Sequence, residues 1–304
     1  MTVTKQGRRR GATPAEILTV FVILSFLFLI VLMTLPRQRE NSRMAGCRRN
    51  LMHIGAGLML YEGRQGRLPT TPELEVAPEA GPSPLKSLLE TLALPDLTQL
   101  RKDGPAPDAR AGSVRGERPV PGFVCFSDPN ASAGRFPAPV SYRACAGDQP
   151  AGVNGAFAPG RLVRLSEVEE GDGRAYCAAF SERLLGNGRE NDRTPENYAF
   201  VAGPIPAGGC GSAVTARWQG DAGSSWSRAD WRSTLYNHTR TPGAAVSCIA
   251  DDGKTAAMGA SSGHLQGVNV LFLDGSVRTV SRTVAPPVWR AMATTNTPDA
   301  KSPE

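Results

Sequence analysis

Residues 268–281 read VNVLFLDGSVRTVS, and this stretch predicts a β-hairpin. Two runs of alternating β-prone residues, 268–273 and 276–281, flank Asp274-Gly275. An Asp-Gly pair between such runs is the strongest short hairpin signal, because glycine accepts the positive φ that a type I′ turn needs. The C-terminal part of the chain is therefore expected to contain antiparallel strands.

Further short strands are expected before the hairpin. The chain has 33 Gly and 25 Pro in 304 residues, a composition that favours many turns and few long helices. Candidate strands are Phe123–Phe126, Val140–Ala144, Arg161–Leu165, Tyr176–Phe180, Tyr198–Ala202, Val214–Trp218 and Val246–Ala250. A short helix is predicted from Pro286-Pro287 through Met292. The β-rich head is thus placed at 123–293, before a polar tail at 294–304.

The charge of the chain gives little support for nucleic-acid binding. Its formal net charge is +6, but four of the basic residues fall within the first ten positions, which leaves only +2 for the remainder. Three histidines in the whole chain leave little room for a histidine-built metal site. No metal ion and no cofactor is expected.

The N-terminal region contains a long apolar run. Residues 17–35 read ILTVFVILSFLFLIVLMTL, nineteen residues without a charge, Gly or Pro. A helix of this length spans about 28 Å, close to the thickness of a bilayer hydrocarbon core. The run predicts a transmembrane helix. A cleaved secretory signal is the alternative, although the run is long for one and no small-x-small cleavage site follows it.

The residues after this run predict a second helical stretch with one apolar stripe. Its members recur at spacings of seven, three, four and three, and they are Met44, Leu51, Ile54, Leu58 and Tyr61. Such a stripe is expected to lie against a sheet. Residues 63–122 are Pro/Gly-rich and are expected to form a linker with one short helix at Pro84–Leu94. The predicted fold class is α+β, with a long N-terminal helix at 12–62, whose transmembrane part is 17–35, and a β-rich antiparallel globular head.

Glu16 stands directly before the apolar run, where a carboxylate is costly unless it finds a partner. The stretch RRRGATPAE at 8–16 resembles the class III signal of type IV pilins and type II secretion pseudopilins. The resemblance implies that a prepilin peptidase removes a leader of residues 1–11 by cutting between Gly11 and Ala12. It also implies methylation of Ala12, whose amine then pairs with Glu16 of a neighbouring subunit. A plain signal anchor with an incidental glutamate is the alternative.

Motifs further along the chain extend this resemblance. His264 is followed by nine residues and then Asp274-Gly275, which resembles the H-x9-DG signature of a large bacterial family of prepilin-like, pseudopilin G-like proteins. The globular domain of that family has no established function. Other similar segments occur in the same order, namely Cys47-Arg48-Arg49-Asn50-Leu51, Cys125-Phe126-Ser127-Asp128-Pro129, Ser141-Tyr142, the stretch 165–184 and Trp289-Arg290-Ala291.

The chemistry of the signature residues is left open by the sequence. His264 is a candidate ligand or general base with Asp274 as its partner, but a structural role for both in the hairpin is the simpler interpretation. Residues 259–263, GASSG, also fit the G-x-S-x-G pattern around Ser261. A nucleophile elbow needs a strand before it and a helix after it, and His264 is too near in sequence to complete such a triad. No enzyme is predicted.

Six cysteines are spread along the chain, at 47, 125, 145, 177, 210 and 248. No two lie within four residues, so zinc-ribbon and C-x-x-C patterns are absent. Disulfides and buried thiols both remain open. Cys125–Cys145 is the candidate disulfide, because it would join neighbouring predicted strands.

These patterns predict a non-enzymatic pseudopilin-like envelope protein that assembles through its apolar helix into a secretion or pilus-like structure. Its expected location is the inner (cytoplasmic) membrane, with a single span and the head outside the cytoplasm. Its expected partners are the membrane, a prepilin peptidase, and copies of itself or other pseudopilins, with no nucleic acid. The alternative is a monomeric, membrane-anchored binding module for a glycan or another envelope ligand.

Overall fold

The computed structural model describes residues 13–74, 82–92, 118–211, 217–244 and 246–296, except for the side chains of 31–37. The helices are α1 Pro14–Gln65, α2 Pro84–Ser87, α3 Leu165–Glu170 and α4 Pro286–Ala291. The strands are β1 Tyr142–Cys145, β2 Ala178–Glu182, β3 Tyr198–Val201, β4 Arg217–Gln219, β5 Leu235–Tyr236, β6 Ser247–Ala250, β7 Ala256–Ala257, β8 Val268–Phe272 and β9 Val277–Val280. Two 3₁₀ turns lie at Pro121–Phe123 and Ala131–Ala133.

The chain divides into two compact units, Met1–Ser42 and Arg43–Glu304. The first unit contains the apolar part of α1. The second unit, which we call the head, contains the remainder of α1 and all the strands.

The predicted transmembrane helix at 17–35 is wrong. Within the described ranges, no helix is long and apolar enough to cross a membrane. The single-pass inner-membrane location, with the head outside the cytoplasm, depended on that helix and is likewise not supported.

The head is a mixed α/β fold with two sheets, which corrects the expected antiparallel head. One sheet has the strand order β5-β1-β2-β8-β9, and the other has the order β4-β3-β6-β7. Most neighbours are antiparallel, but β1 pairs with β5 in parallel and β3 pairs with β6 in parallel. Parallel neighbours need long crossover connections. No local sequence pattern reports such a pairing, because its two strands lie far apart along the chain.

The hairpin predicted at 268–281 is confirmed. β8 and β9 pair antiparallel from Val268↔Val280 to Leu271↔Val277. The turn is not type I′, because Gly275 has a φ of +84° and Asn191 is the only non-glycine residue in the described ranges with a positive φ. Residues 273–275 instead form a three-residue loop with the glycine in the left-handed conformation, the second common hairpin connection.

The predicted apolar stripe on α1 packs into the core of the head. Leu51, Ile54 and Leu58 are fully buried, and Met44 is nearly so. A Cβ on Gly55 would lie 2.8 Å from Cδ1 of Leu271, so this side of α1 rests directly on β8. The opposite side of β8 contributes Val268, Val270 and Phe272 to a second core with Trp289 of α4.

Three predicted elements differ from the structure. Phe123–Phe126 is the end of a 3₁₀ turn and a loop, since Pro121 fixes φ at the start of that turn. Arg161–Leu165 is not a strand and leads into α3, and the helix predicted at Pro84–Leu94 ends at Ser87. The linker segments 75–81 and 93–117 and the tail 297–304 lie outside the described residues.

Candidate functional site

Glu16 forms a capping box with Thr13 at the start of α1. The Thr13 N–H donates to Glu16 Oε2 at 2.7 Å, and the Glu16 N–H donates to Thr13 Oγ1 at 3.4 Å. This reciprocal pair satisfies two of the backbone donors that a helix N-terminus leaves unbonded. The bond from the Thr13 backbone lowers the pKa of the Glu16 carboxyl. Gly11 and Ala12, the predicted processing site, lie outside the described residues.

The apolar residues that follow Glu16 are exposed on every side of the helix. Their exposed fractions lie between 46% and 67% in the single chain, and they are Ile17, Leu18, Val20, Phe21, Val22, Ile23, Leu24, Phe26, Leu27, Phe28, Leu29 and Ile30. We call this segment the apolar collar. A helix that is apolar all round is normally buried in a larger structure.

His264 belongs to a buried group of four side chains in the head. The group, which we call the Cys-Cys-Glu-His cluster, consists of Cys47, Cys125, Glu182 and His264. One S, N or O atom from each residue lies within 4.8 Å of the corresponding atoms of the other three. His264 Nε2 lies 3.5 Å from Cys125 Sγ and 3.4 Å from Glu182 Oε1, and the last two atoms are 3.6 Å apart.

Four separate elements carry these residues. Cys47 is on the part of α1 that packs in the head, and Cys125 follows the 3₁₀ turn at Pro121–Phe123. Glu182 is the last residue of β2, and His264 lies in the loop that precedes β8. All four side chains are buried, with at most 3% of Cys125 exposed. The fold therefore gathers these side chains away from water, where β2 ends and the chain enters β8 in the five-stranded sheet.

Two glycines allow these elements to approach each other. A Cβ on Gly263 would lie 1.8 Å from the Ser127 carbonyl oxygen, closer than any side chain tolerates. Gly263 thus brings the His264 loop against the Cys125 loop. A Cβ on Gly46 would lie 2.9 Å from the Phe126 ring, so this ring sits directly on α1 beside Cys47.

Surrounding donors orient two members of the cluster. The Asn269 N–H donates to Glu182 Oε2 and the Asn269 side-chain amide donates to Glu182 Oε1, both at 2.9 Å. The Phe126 N–H donates to Cys47 Sγ at 3.2 Å. These bonds fix the carboxylate plane and favour a negatively charged sulfur on Cys47.

The two thiols of the cluster differ in acidity. Hydrogen bonding from Cys125 lowers the pKa of Cys47 to about 5 despite its burial. The same bond, followed by burial and the Glu182 charge, raises the pKa of Cys125. The hydrogen bond between the two thiols therefore favours the thiolate on Cys47 over the thiolate on Cys125. A thiolate beside a thiol, a carboxylate and an imidazole can bind a soft metal ion or form a disulfide.

Asp274 and Gly275, the other signature residues, do not join His264. Asp274 is exposed in the hairpin loop, where its Oδ1 accepts the Ser276 N–H at 2.8 Å. The carboxylate beside His264 is that of Glu182. Asp274 and Gly275 thus lie in the turn of the hairpin, away from His264.

Ser261 does not lie in a nucleophile elbow. Its Oγ accepts the Leu184 N–H at 3.1 Å and a guanidinium N–H of Arg183 at 3.2 Å. In the described stretch around it, residues 246–296, no strand ends immediately before Ser261 and no helix begins directly after it. The geometry assigns Ser261 the role of fixing the chain that follows β2.

The candidate disulfide Cys125–Cys145 is not formed. Both residues are buried thiols, and the disulfide instead joins Cys210 to Cys248 with a Cα–Cα distance of 5.6 Å. Cys145 and Cys125 diverge because Cys145 ends β1 on the side of the second core, whereas Cys125 faces α1 and the cluster.

Sequence reasoning missed Cys47 and Glu182 as partners of His264. Both stood in segments that supported the resemblance, but no chemistry was assigned to either of them. Both residue types can bind a metal ion, and both occur in motifs of the same series as those that contain Cys125 and His264. This combination is the signal that could have identified them. The expectation of no metal site counted histidines along the whole chain, and it did not consider one histidine together with two cysteines and a glutamate.

The head is thus a mixed α/β domain with a buried Cys-Cys-Glu-His cluster, and an apolar helical segment precedes it. The chain belongs to the family described as "Protein of unknown function (DUF1559)", whose model matches residues 36–287. No curated protein and no solved structure matches the chain.

Proposed function

We propose that the protein is a non-enzymatic, pseudopilin-like assembly protein. Its leader, residues 1–11, is removed by a prepilin peptidase, and the apolar collar then packs against the collars of neighbouring copies or of other pseudopilins. The head is displayed from the resulting secretion or pilus-like structure. The proposal includes the interpretation of residues 8–16 as a prepilin-type signal, and of His264 with Asp274-Gly275 as the H-x9-DG motif of prepilin-like proteins.

The exposure of the apolar collar carries the proposal. Between Ile17 and Ile30, no residue is charged and every large apolar side chain is at least 46% exposed. Fully burying an exposed side chain of this size contributes about 1.5–3 kcal/mol, and these side chains are roughly half exposed, so each contributes about 1 kcal/mol and the twelve together favour association. The absence of a polar face means that one partner helix covers only part of the collar. A bundle of several helices is the arrangement that covers all of it.

A second copy of the collar is the partner that fits this surface. It is always present at equal concentration, and it brings no charge into the interface between Ile17 and Ile30. Glu16 remains at the end of the bundle, where Thr13 already holds its carboxylate at the first helical turn. A neighbour's Ala12 amine, once the leader is removed, would meet a carboxylate that is ionised and in place.

Sedimentation velocity on the full chain tests assembly. We expect oligomers for the wild type and a monomer for Leu24→Asp, because a carboxylate in the centre of the collar would be buried without a partner. Met52→Asp is the matched control, since Met52 lies on the same helix within the head and is 49% exposed, against 57% for Leu24. This control should assemble like the wild type.

A wild-type chain that stays monomeric at all concentrations would contradict the proposal and favour the alternative, a monomeric binding module. Equal loss of assembly in both variants would also contradict it, because the head rather than the collar would then form the contact. Processing is tested separately by co-expression with a prepilin peptidase. Intact mass should show loss of residues 1–11, and Gly11→Asp should abolish this loss.

A further inference from the structure

We propose that the Cys-Cys-Glu-His cluster is a structural zinc site in which all four side chains bind one ion. This inference is independent of assembly through the apolar collar, because it concerns only the head. Three observations carry it: the distances between the ligand atoms, the chemistry of the donor set, and the donors that surround it.

The distances within the cluster match the edges of a zinc tetrahedron. Zinc lies about 2.3 Å from sulfur, 2.0–2.1 Å from nitrogen and 2.0–2.2 Å from oxygen. Tetrahedral angles then place sulfur and nitrogen about 3.5 Å apart, sulfur and oxygen about 3.6 Å apart, and nitrogen and oxygen about 3.4 Å apart. The corresponding distances among Cys125, His264 and Glu182 are 3.5, 3.6 and 3.4 Å.

Cys47 supplies the fourth corner. Its Sγ lies within 4.8 Å of the other three ligand atoms, and an ideal sulfur–sulfur edge is about 3.8 Å. The Cys47 sulfur is therefore within about 1 Å of an ideal sulfur–sulfur edge from Cys125.

The donor set favours zinc over other common ions. Magnesium and calcium bind oxygen ligands, whereas two thiolates with one imidazole and one carboxylate suit a borderline-soft ion with tetrahedral preference. All four positions are filled by protein side chains, and the cluster is buried. Catalytic zinc sites keep one position for water, so four protein ligands indicate a structural site.

The surrounding donors offset the charge of the occupied site. Zinc with two thiolates and one carboxylate carries a net charge of about −1, since both cysteines bind as thiolates and any proton they hold is released to solvent. The Phe126 N–H on Cys47 and the two Asn269 donors on Glu182 point directly at this negative charge. Donors of this kind orient ligands and raise affinity in zinc proteins.

Zinc binding to the full chain tests the proposal. The protein is stripped with a chelator under reducing conditions and titrated with zinc against a chromophoric competitor. We expect one zinc per chain. Cys47→Ala and Cys125→Ala should each lower affinity at least about 100-fold, since losing a ligand costs more than losing a supporting residue. Cys177→Ala is the matched control, because Cys177 is also a buried thiol outside any disulfide, and it should bind zinc like the wild type.

Cobalt substitution of the wild type provides a measurement that does not depend on folding of the variants. We expect thiolate-to-cobalt charge-transfer bands together with the visible bands of a tetrahedral ion. Binding without these thiolate bands would overturn the proposal. The proposal would also be overturned if the reduced chain bound no zinc. A Cys47–Cys125 disulfide in the untreated chain would overturn it as well, if that disulfide formed again when the reduced chain was reoxidised with zinc present.

Discussion

Glu182 Oε1 and His264 Nε2 lie 3.4 Å apart in the interior of the head, and neither side chain is more than 1% exposed. The carboxylate is held from its other side by Asn269, and Cys125 completes a triangle with the two residues. A buried carboxylate in this position is costly without compensating donors. The arrangement therefore has a measurable role in the stability of the head.

Replacing Glu182 by alanine should destabilise the head by about 3 kcal/mol. The change removes the acceptor of two Asn269 donors and leaves them buried without a partner. Chemical denaturation measures the loss. Glu167→Ala is the control, because Glu167 pairs with Arg164 on the surface and its loss should cost less than about 1 kcal/mol. Equal effects of the two substitutions would contradict the role assigned to Glu182.

Gly263→Ala should destabilise the head by about 1–3 kcal/mol or more and weaken metal binding as well. The new Cβ would overlap the Ser127 carbonyl oxygen and separate the loops that carry Cys125 and His264. Gly208→Ala is the control, since nothing lies within 4 Å of a Cβ at that position. The free energy of unfolding and the affinity for zinc are measured on the same preparations of each variant. An unchanged affinity in Gly263→Ala would show that the two loops do not need this close contact.

The Cys210–Cys248 disulfide should contribute about 4 kcal/mol to the free energy of unfolding. It links residues separated by 38 positions, and this loop length sets the entropy removed from the unfolded chain. The Cys210→Ala/Cys248→Ala variant should lose that amount. A reductant should destabilise the wild type equally and leave the double variant unchanged. A reductant effect of the same size in the variant would place the critical disulfide elsewhere.

The head should lose stability as pH rises from about 4 to 6, because the buried Asp128 carboxyl loses its proton over this range. Burial raises the pKa of this carboxyl to about 6, against 3.8 for an exposed aspartate, although the Leu185 and Asn130 N–H groups oppose the shift. Because the folded state holds the proton more tightly than the unfolded state, stability is greatest below pH 4 for this group. The loss through pH 6 amounts to roughly 3 kcal/mol.

The pH dependence of denaturation measures this contribution, and Asp128→Asn should remove it. Because several carboxyls titrate in the same range, the relevant quantity is the difference between the wild type and the variant. A difference that does not change between about pH 4 and 6.5 would contradict the raised pKa.

The sequence predicted the elements that local pattern determines. The β8–β9 hairpin followed from alternation around Asp274-Gly275, and the packing of α1 followed from the spacing of Leu51, Ile54 and Leu58. Helix α4 followed from Pro286-Pro287. In each case the deciding residues are neighbours in sequence, so propensity and periodicity report the structure directly.

Features that depend on distant segments were not predictable in this way. The parallel pairs β1–β5 and β3–β6 join strands separated by long connections, and the Cys-Cys-Glu-His cluster draws on four elements. The membrane prediction failed for a different reason. It depended on the hydropathy and length of residues 17–35 alone, whereas no helix within the described ranges is long and apolar enough to cross a membrane.

X-ray absorption at the zinc edge of the zinc-loaded full chain tests the central claim, that the cluster is a zinc site, most directly. We expect two sulfur neighbours at about 2.3 Å and two nitrogen or oxygen neighbours at about 2.0–2.2 Å. A first shell made only of nitrogen and oxygen would contradict it, because zinc would then be bound away from Cys47 and Cys125.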